Sequence, residues 1–455
     1  MIKSLSRQAY QLLHEGALAL AKVERTGMRI DLNYCKIQRR VVDRKIKREK
    51  ERLLESEEGK LWKKLYGNKL NINSSDQLSK LLYNELKIKP SKVTTKGRAS
   101  SGDEALTMIN SNFTKKILSI RKLTKLKDTF LEGIINHAGV DGVLHPFFNL
   151  HLVKTFRSSA DSPNFQNMPI RHPEMKKIIR RAFIPRLGCR FGGVDIAGAE
   201  IRAATFYHCD PNMIEYICDK TKDMHRDMAM DCYMLKQEDV TDDSRYCAKN
   251  KFVFPQFYGD YYVNCANNLW NAIDQMKLIR KTDSKPLKEY LKEQGIKSYS
   301  KFEKHIQDVE DRFWNERFLV YAKWKKSWYK RYLKKGYIDM LTGFRCSGVM
   351  SRNDVINYPV QGVSFHLLLW SLIQMVDWLE KEKYETKVIG QIHDEMTFDA
   401  LDSELMGVLK KTKKVMCHDI REYWDFINVP LDIEAKFSGI DDSWYYKTKV
   451  EIPEG

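Results

Sequence analysis

One stretch near the carboxyl end, residues 388–398, constrains the fold of this chain more than any other. Two short apolar runs, residues 388–392 and 396–398, flank the polar triplet His393-Asp394-Glu395. Short apolar segments separated by a polar turn are typical of a β-hairpin. The sequence therefore predicts a hairpin that presents carboxylates at its tip.

A second carboxylate, Asp195, stands in a comparable setting far upstream. It follows the run Phe-Gly-Gly-Val at residues 191–194 and precedes small apolar residues, so we expect it at the end of a buried strand. A buried carboxylate needs a cation or several hydrogen-bond donors. Two aspartates presented from strand ends can hold two divalent cations, the arrangement that phosphoryl transfer requires.

A pair of cations, Arg245 and Lys249, lies between these aspartates in the sequence, and Phe254 and Tyr258 follow it. On a surface helix such a pair would be an ordinary basic face, and the aromatic residues alone would indicate core packing. Cations one helical turn apart also suit a triphosphate.

The order of carboxylate strand, basic helix and carboxylate hairpin resembles the three polymerase motifs of family A DNA polymerases, the DNA polymerase I-like enzymes. The segments Thr-Phe-Arg-Ser-Ser at 155–159, Pro-Asn-Phe-Gln-Asn-Met-Pro-Ile-Arg at 163–171 and Asn-Tyr-Pro-Val-Gln-Gly at 357–362 also resemble family motifs. The resemblance extends from about residue 10 to Trp444. It implies an α+β right-hand fold, with an antiparallel palm sheet, helical fingers and a helical thumb.

The resemblance also implies residue roles and a primer-dependent synthesis of DNA from dNTPs. Asp195, Asp394 and the Ile196 carbonyl would bind two Mg²⁺ ions, which Mn²⁺ can replace, with Glu395 beside them and Lys249 also counted as catalytic. The dNTP would contact Glu200, His225, Arg245, Lys249, Phe254 and Tyr258. Primer–template DNA would contact Lys125, Arg157, Asn164, Gln166, Asn167, Arg171, Arg345, Asn357, Gln361 and His393.

Glu200 separates two classes of polymerase. In DNA-synthesising members of the family, a glutamate five residues after the metal-binding aspartate blocks a ribose 2′-hydroxyl, and Asp195 and Glu200 have that spacing. A single-subunit RNA polymerase is an alternative that Glu200 disfavours. A catalytically inactive, polymerase-like DNA-binding subunit is another, which the presence of both aspartates and both triphosphate cations disfavours.

The fingers motif departs from the family pattern. Lys249 and Tyr258 are nine residues apart where the family has eight, and Pro255 replaces a usual glycine. Proline in a helix removes one backbone hydrogen bond. A single wide, π-type turn absorbs an extra residue, so we predict one between Lys249 and Pro255. The alternative is a regular helix in which Val253 takes the place of Phe254. Gly198, where glutamine is common, is a second departure.

Bulk properties agree with a nucleic-acid enzyme. The 455 residues carry a formal net charge of +18, which favours a polyanionic partner such as nucleic acid or an anionic membrane surface. Nine scattered cysteines without metal-type spacing indicate reduced thiols, and the N-terminus lacks a signal-peptide pattern. We therefore expect a cytoplasmic location, in the host cytoplasm if the protein is viral. The uncharged stretch 355–376 is expected to be a buried core helix rather than a membrane span, and no membrane partner is expected.

The changes of pattern along the chain predict its organisation. The expected units are a palm-entry helix at 1–30, a thumb at 31–131, a first palm part at 132–202, fingers at 203–335 with an insertion at about 262–300, and a second palm part at 336–455. One helix is expected from about residue 103 to 131. The chain is expected to lack its own proofreading exonuclease domain, so a separate exonuclease or processivity subunit is a candidate partner.

Overall fold

The computed structural model describes residues 4–90, 92–94, 97–169 and 172–453, with side chains from residue 7 onward. Arg171, one of the predicted DNA contacts, lies outside these ranges. The strands of the described residues are β1 (Met28–Arg29), β2 (Val143–Leu144), β3 (Phe147–Asn149), β4 (Ser159–Asp161), β5 (Cys189–Ile196), β6 (Tyr337–Asp339), β7 (Arg345–Ser347), β8 (Lys387–Ile392), β9 (Glu395–Leu401), β10 (Ile433–Phe437) and β11 (Thr448–Val450).

Helices make up most of the remaining structure. They are α1 (Ser4–Thr26), α2 (Leu32–Leu54), α3 (Glu57–Tyr66), α4 (Ser75–Ser79), α5 (Asp103–Ile109), α6 (Asn112–Lys125), α7 (Glu132–His137), α8 (Pro173–Arg180), α9 (Ala199–His208), α10 (Pro211–Cys218), α11 (Met224–Tyr233), α12 (Asp242–Ala248), α13 (Phe254–Tyr258), α14 (Tyr262–Gln275), α15 (Leu287–Glu293), α16 (Tyr299–Arg312), α17 (Leu319–Lys335), α18 (Arg352–Lys381), α19 (Leu405–Lys413) and α20 (Ile420–Tyr423). Wide π-helical segments extend several of them, at Lys80–Glu85, Leu126–Leu131, Lys249–Val253, Phe313–Arg317 and Lys414–Asp419.

A five-stranded antiparallel sheet, in the order β11-β10-β5-β9-β8, forms the centre of the molecule. β5 occupies the middle, so both of its edges are paired. Gly192 on β5 allows close packing there, because a Cβ at this position would clash with the Phe437 ring. The sheet is therefore built around the strand that carries Asp195.

The long helix α18 packs with α1 against the β8–β9 side of this sheet. By length and composition α18 could cross a membrane, but 83% of its most apolar window is buried inside the protein. The prediction of a buried core helix for residues 355–376 is confirmed.

Near α8, an aromatic cluster fills the space between β5 and the neighbouring loops. Phe165, Phe183, Phe191 and Trp444 are all almost fully buried, with neighbouring ring centroids 5.3–6.4 Å apart. Trp444 comes from the end of the chain and Phe165 from the segment before α8, so the cluster ties distant parts of the sequence to β5.

The N-terminal helices α2–α7 form an extension with a core of its own. Residues of α2–α6, among them Leu53, Trp62 and Ile117, make a hydrophobic cluster separate from the main one. The prediction of a single helix at 103–131 is wrong. α5 ends at Ile109, Asn110 follows in the left-handed conformation (φ 55°), and Ser111 caps α6 with a capping box. A good capping residue after an αL asparagine stops and restarts a helix.

The helices α9–α17 form a unit inserted between β5 and β6, whereas β8–β11 return to the sheet. This agrees in outline with a module placed between the two carboxylate-bearing segments. The domain boundaries themselves stay predictions.

The aromatic cluster gives a stability prediction. Replacing Phe183 by alanine should destabilise the protein by about 3–5 kcal/mol, because it leaves a cavity among rings that cannot collapse around it. Denaturant unfolding followed by tryptophan fluorescence measures the change. Phe147→Ala is the matched control, because this ring is 56% exposed and should cost far less. Equal destabilisation of the two variants would contradict the role of the cluster.

Candidate active site

Carboxylates converge at one end of the central sheet because of its register. Asp195 pairs with Glu395 of β9 on one side and with Glu434 of β10 on the other. His393 and Asp394 form the two-residue turn between β8 and β9, with His393 at a positive φ of 53°. The predicted hairpin and the predicted strand end are both confirmed, and Asp394 adjoins the residue that pairs with Asp195.

Both aspartates are poorly compensated as charged groups. Burial raises the pKa of Asp195 to about 6, and no described residue donates a hydrogen bond to its carboxylate. Burial also raises the pKa of Asp394. Arg157 and Ser364 oppose this shift, but each contacts the carboxylate only at 3.4 Å. Carboxylate oxygens are hard ligands that Mg²⁺ prefers. The pair therefore fits a divalent cation, although no cluster of three or more metal-ligating side chains is preformed among the described residues.

Glu395, the first residue after the turn, forms an ion pair with a buried lysine. The Lys447 Nζ lies 2.7 Å from the Glu395 Oε1, and its side chain is only 8% exposed. Burial lowers the pKa of Lys447, and Glu395 opposes this shift. A Cβ on Gly193 would clash with the same Oε1, so glycine gives the carboxylate its space. Lys447 was not predictable, because nothing in its local sequence distinguishes it from other basic residues near the end of the chain.

Arg157 lies between two predicted site residues, Glu200 of the dNTP contacts and Asp394 of the metal ligands. Its guanidinium donates to Glu200 at 3.2 Å and to Asp394 at 3.4 Å. The Tyr258 hydroxyl donates a short hydrogen bond to the other Glu200 oxygen. Burial, followed by the Glu200 charge, raises the pKa of this phenol. Glu200 is thus fixed between Arg157 and Tyr258, beside a cavity lined by Phe254 and Tyr258.

The fingers motif contains the predicted wide turn. Lys249–Val253 is π-helical, and the Phe254 N–H donates to the Lys249 carbonyl five residues back. Val253 is fully buried, whereas Phe254 lines the cavity next to Tyr258. The Lys249 Nζ lies 5.4 Å from the centre of the Phe254 ring, so both residues are on one side of the helix. The prediction of a bulge is confirmed, and the alternative that placed Val253 there is wrong.

The remaining predicted triphosphate contacts surround this helix. Arg245 donates to Asp223 at 2.6 Å, and the His225 ring lies 5.8 Å from Phe254. Burial, followed by the charges of Lys249 and Arg245, lowers the pKa of His225 to about 4. His225 is therefore neutral near pH 7, and its Nδ1 is buried without a hydrogen-bond partner among the described residues.

A hydrogen-bonded chain of polar side chains lies behind the turn. The Gln391 Oε1 accepts from the Ser158 hydroxyl at 2.5 Å and from the Gln166 amide at 2.7 Å. The Gln391 amide donates in turn to the His393 carbonyl. Gln391 is buried, and its local sequence does not indicate this role. This chain joins the segment 155–167 to the hairpin tip.

The other predicted DNA contacts are more dispersed. Asn357 on α18 donates to the Tyr258 carbonyl at 3.1 Å, and Gln361 lies half-buried one turn further on. Asn164 caps the short turn that contains the exposed Asn167. Two predicted contacts lie on other elements: Arg345 pairs with Asp339 at 2.6 Å on the β6–β7 hairpin, and Lys125 is exposed at the end of α6.

The raised pKa of Asp195 gives a prediction for the metal-free protein. A folded pKa of about 6 lies above the ordinary value, so the ionised group destabilises the fold above that pH. Asp195→Asn should therefore raise the thermal midpoint at pH 8 in the presence of EDTA, and the gain should vanish as the pH falls from about 6 to about 4.

Thermal unfolding at several pH values measures this change. Glu434→Gln is the control, because this neighbouring carboxylate is 43% exposed and should show a smaller effect. If the thermal midpoint of Asp195→Asn at pH 8 is lowered or unchanged, ionised Asp195 does not destabilise the fold and the prediction is wrong.

Known proteins resemble this chain over most of its length. The family model described as DNA polymerase family A matches residues 42–445. DNA polymerase I of Bacillus subtilis (strain 168) is 27% identical over 435 residues, which cover 94% of this chain and 44% of that protein. The thermostable DNA polymerase I of Thermus aquaticus is 27% identical over 93% of this chain and 46% of its own length. The DNA polymerase of Bacillus phage SP01 is 25% identical over 79% of this chain and 38% of its own length.

A solved structure shows the fold. The POL domain of Pol1 from M. smegmatis, in complex with DNA primer-template and dNTP, superposes with a TM-score of 0.75 at 21% identity, covering 95% of this chain and 70% of that one. The expected α+β right-hand polymerase fold is therefore confirmed. The chain spans about half or less of the length of the curated relatives described above. Since the family model matches most of its residues, the chain belongs to DNA polymerase family A.

Proposed function

We propose that this chain catalyses template-directed, primer-dependent DNA synthesis, adding dNTPs to a primer 3′-hydroxyl. The observation that carries the proposal is the convergence of Asp195 and Asp394 at one end of the sheet, in a family A chain that also has Glu200 hydrogen-bonded to Tyr258. In this proposal the thumb is residues 31–131 and the fingers are residues 203–335. The segments before and after the fingers, 132–202 and 336–455, form the palm.

The two aspartates and the Ile196 carbonyl would hold Mg²⁺, two ions in the proposed mechanism. When bound, the metal supplies Lewis-acid catalysis, which lowers the pKa of the primer hydroxyl and neutralises charge on the triphosphate. The raised pKa values of both aspartates support this assignment, because a cation supplies the compensation that the protein itself lacks.

Arg245 and Lys249 would bind the triphosphate. Arg245 is held by Asp223, so binding a phosphate exchanges one anionic partner for another without leaving the guanidinium unpaired. Lys249 forms no ion pair with a described residue and is free to meet the incoming charge. The neutral His225 would contribute a hydrogen bond rather than a charge.

Glu200 would select the sugar. Its carboxylate is fixed from two sides, by Arg157 and by the Tyr258 hydroxyl, so it cannot swing aside without losing both contacts. A ribose 2′-hydroxyl at this position would meet a carboxylate that is held in place and does not move out of its way. This arrangement favours DNA synthesis over the alternative of a single-subunit RNA polymerase.

Side-chain amides and cations around the turn would contact the primer–template. Gln166, Gln361 and His393 would reach the minor groove, where the acceptors of all base pairs are similar, so that they sense the shape of the pair and not its sequence. Gln391 accepts a hydrogen bond from the Gln166 amide and donates one to the His393 carbonyl. These bonds support the proposal, because they hold both residues beside Asp394.

Substitution of the aspartates tests the proposed activity. Asp195→Asn or Asp394→Asn should lower the rate of primer extension by about two or more orders of magnitude, because each removes a metal ligand. Single-turnover extension of a labelled primer measures the rate, and fluorescence anisotropy checks that primer–template affinity is retained. Near-normal extension by either variant would refute the assignment, and a wild-type chain inactive with both dNTPs and NTPs would support the inactive-subunit alternative.

Glu200→Ala tests the sugar gate separately. Removing the carboxylate should raise rNTP incorporation relative to dNTP incorporation, because the space beside Tyr258 opens. The ratio of kcat/KM values for the two nucleotides is the measurement. Tyr258→Phe is the matched variant: it keeps the ring and loses only the hydrogen bond, so it should shift the ratio less. An unchanged ratio in a folded Glu200→Ala variant would rule out the gate.

A further inference from the structure

Helix α17 carries an unusual concentration of positive charge. Its sequence, LVYAKWKKSWYKRYLKK, contains seven Lys or Arg residues and no Asp or Glu. Lys323, Lys326, Lys330 and Lys334 follow each other at intervals of three and four residues, so they lie on one face. All four are exposed. We call this face the α17 lysine stripe; it is about 16 Å long at 1.5 Å per residue.

The stripe lacks the acidic partners that other cations of the protein have. None of its four lysines forms an ion pair with a residue that the structure describes. By contrast, the preceding Arg317 pairs with Asp231 at 3.0 Å, and Arg345 on the following hairpin pairs with Asp339. A row of like charges without internal compensation destabilises the free protein, so its presence favours an external polyanion.

The opposite face fixes the helix firmly. Trp328 donates to the Val355 carbonyl at 3.1 Å, and the Tyr332 hydroxyl donates to the Gly348 carbonyl at 2.8 Å. Lys325 is half-buried, with its Nζ 3.1 Å from the centre of the Trp314 ring. Because the aromatic face is locked in this way, the lysine stripe is held toward solvent in one orientation.

The stripe begins next to the nucleotide pocket. Tyr321, less than one turn before Lys323, lines the same cavity as Tyr258, Phe254 and Glu200. In the proposed function this cavity lies at the templating base. Template beyond that base has not yet been copied, so the strand leaving the pocket on this side is single-stranded.

We propose that the α17 lysine stripe binds the phosphate backbone of the unpaired template strand ahead of the nascent base pair. This inference rests on the proposed function and adds a second contact region for its substrate. Basic tracks hold single strands by charge and without sequence preference, and such binding weakens steeply with salt. The exposed Leu319 and Leu333 at the two ends of the stripe offer apolar surface to bases but no hydrogen-bond pattern that would read them.

The test compares two template lengths on one duplex. A primer–template with a 5′ template overhang of about 2 nucleotides reaches only the pocket, whereas one of about 12 extends along α17. Anisotropy in EDTA at several NaCl concentrations gives the affinity and its salt dependence. The variant is Lys326→Ala/Lys330→Ala/Lys334→Ala. The matched control, Lys292→Ala/Lys297→Ala/Lys301→Ala, removes the same charge from exposed lysines at α15–α16.

The wild type should bind the long overhang more tightly than the short one. The α17 variant should lose that gain, and its slope of log affinity against log salt should become shallower by about 2, because each phosphate that a lysine neutralises on a single strand adds about 0.7 to the slope. Its affinity for the short overhang, and its extension of that substrate, should match the wild type. The control variant should keep the gain.

Each other outcome is decisive. An undiminished gain in the α17 variant, or an equal reduction in the control, overturns the proposal. Binding of poly-glutamate that needs the stripe, without any effect of overhang length, assigns the surface to an acidic protein instead. Failure of the wild type to extend the short-overhang primer refutes the proposed polymerase function and not the stripe, whose overhang effect is measured by binding alone.

Discussion

The antiparallel pairing of β5 with β9 is the constraint on which the rest of the site depends. It sets Asp195 opposite Glu395 and places Asp394 at the adjoining turn, so carboxylates about 200 residues apart in sequence share one sheet end. A shift of the register by one residue would turn Asp195 to the other face. The glycines of β5 protect the register, since a Cβ at Gly192 or Gly193 would clash with Phe437 or with Glu395.

Concentrating negative charge at this edge has an electrostatic cost that nearby cations reduce only in part. Lys447 engages Glu395 and Arg157 engages Glu200, but Asp195 keeps a raised pKa and lacks a hydrogen-bond donor among the described residues. Glu395 and Glu200 therefore have closer cationic partners than the aspartates proposed to bind metal, since Asp394 has contacts of 3.4 Å and Asp195 has no hydrogen-bond donor among the described residues. Cation binding therefore stabilises this site, because it compensates the buried carboxylate charge that is unfavourable in the metal-free protein.

The sequence predicted those parts of the fold and site that depend on local patterns. Asp195 at a strand end and the hairpin at Asp394 each follow from neighbouring residues. Local patterns failed where two helices abut, as at Asn110, because each half has acceptable periodicity. Lys447 and Gln391 were not predictable, since their importance comes from partners brought near only by the folded sheet.

The π-helical turn in the fingers motif shows how a departure from a family pattern can be informative. One extra residue in a regular helix rotates everything beyond it by about 100°, which would separate Lys249 from the face of Phe254 and Tyr258. The wide turn absorbs that residue, and Pro255 lies two residues beyond Val253, near the start of α13, where its missing N–H costs least. Spacing and proline, each anomalous alone, are therefore two consequences of one backbone event that keeps the cation and the aromatic pair together.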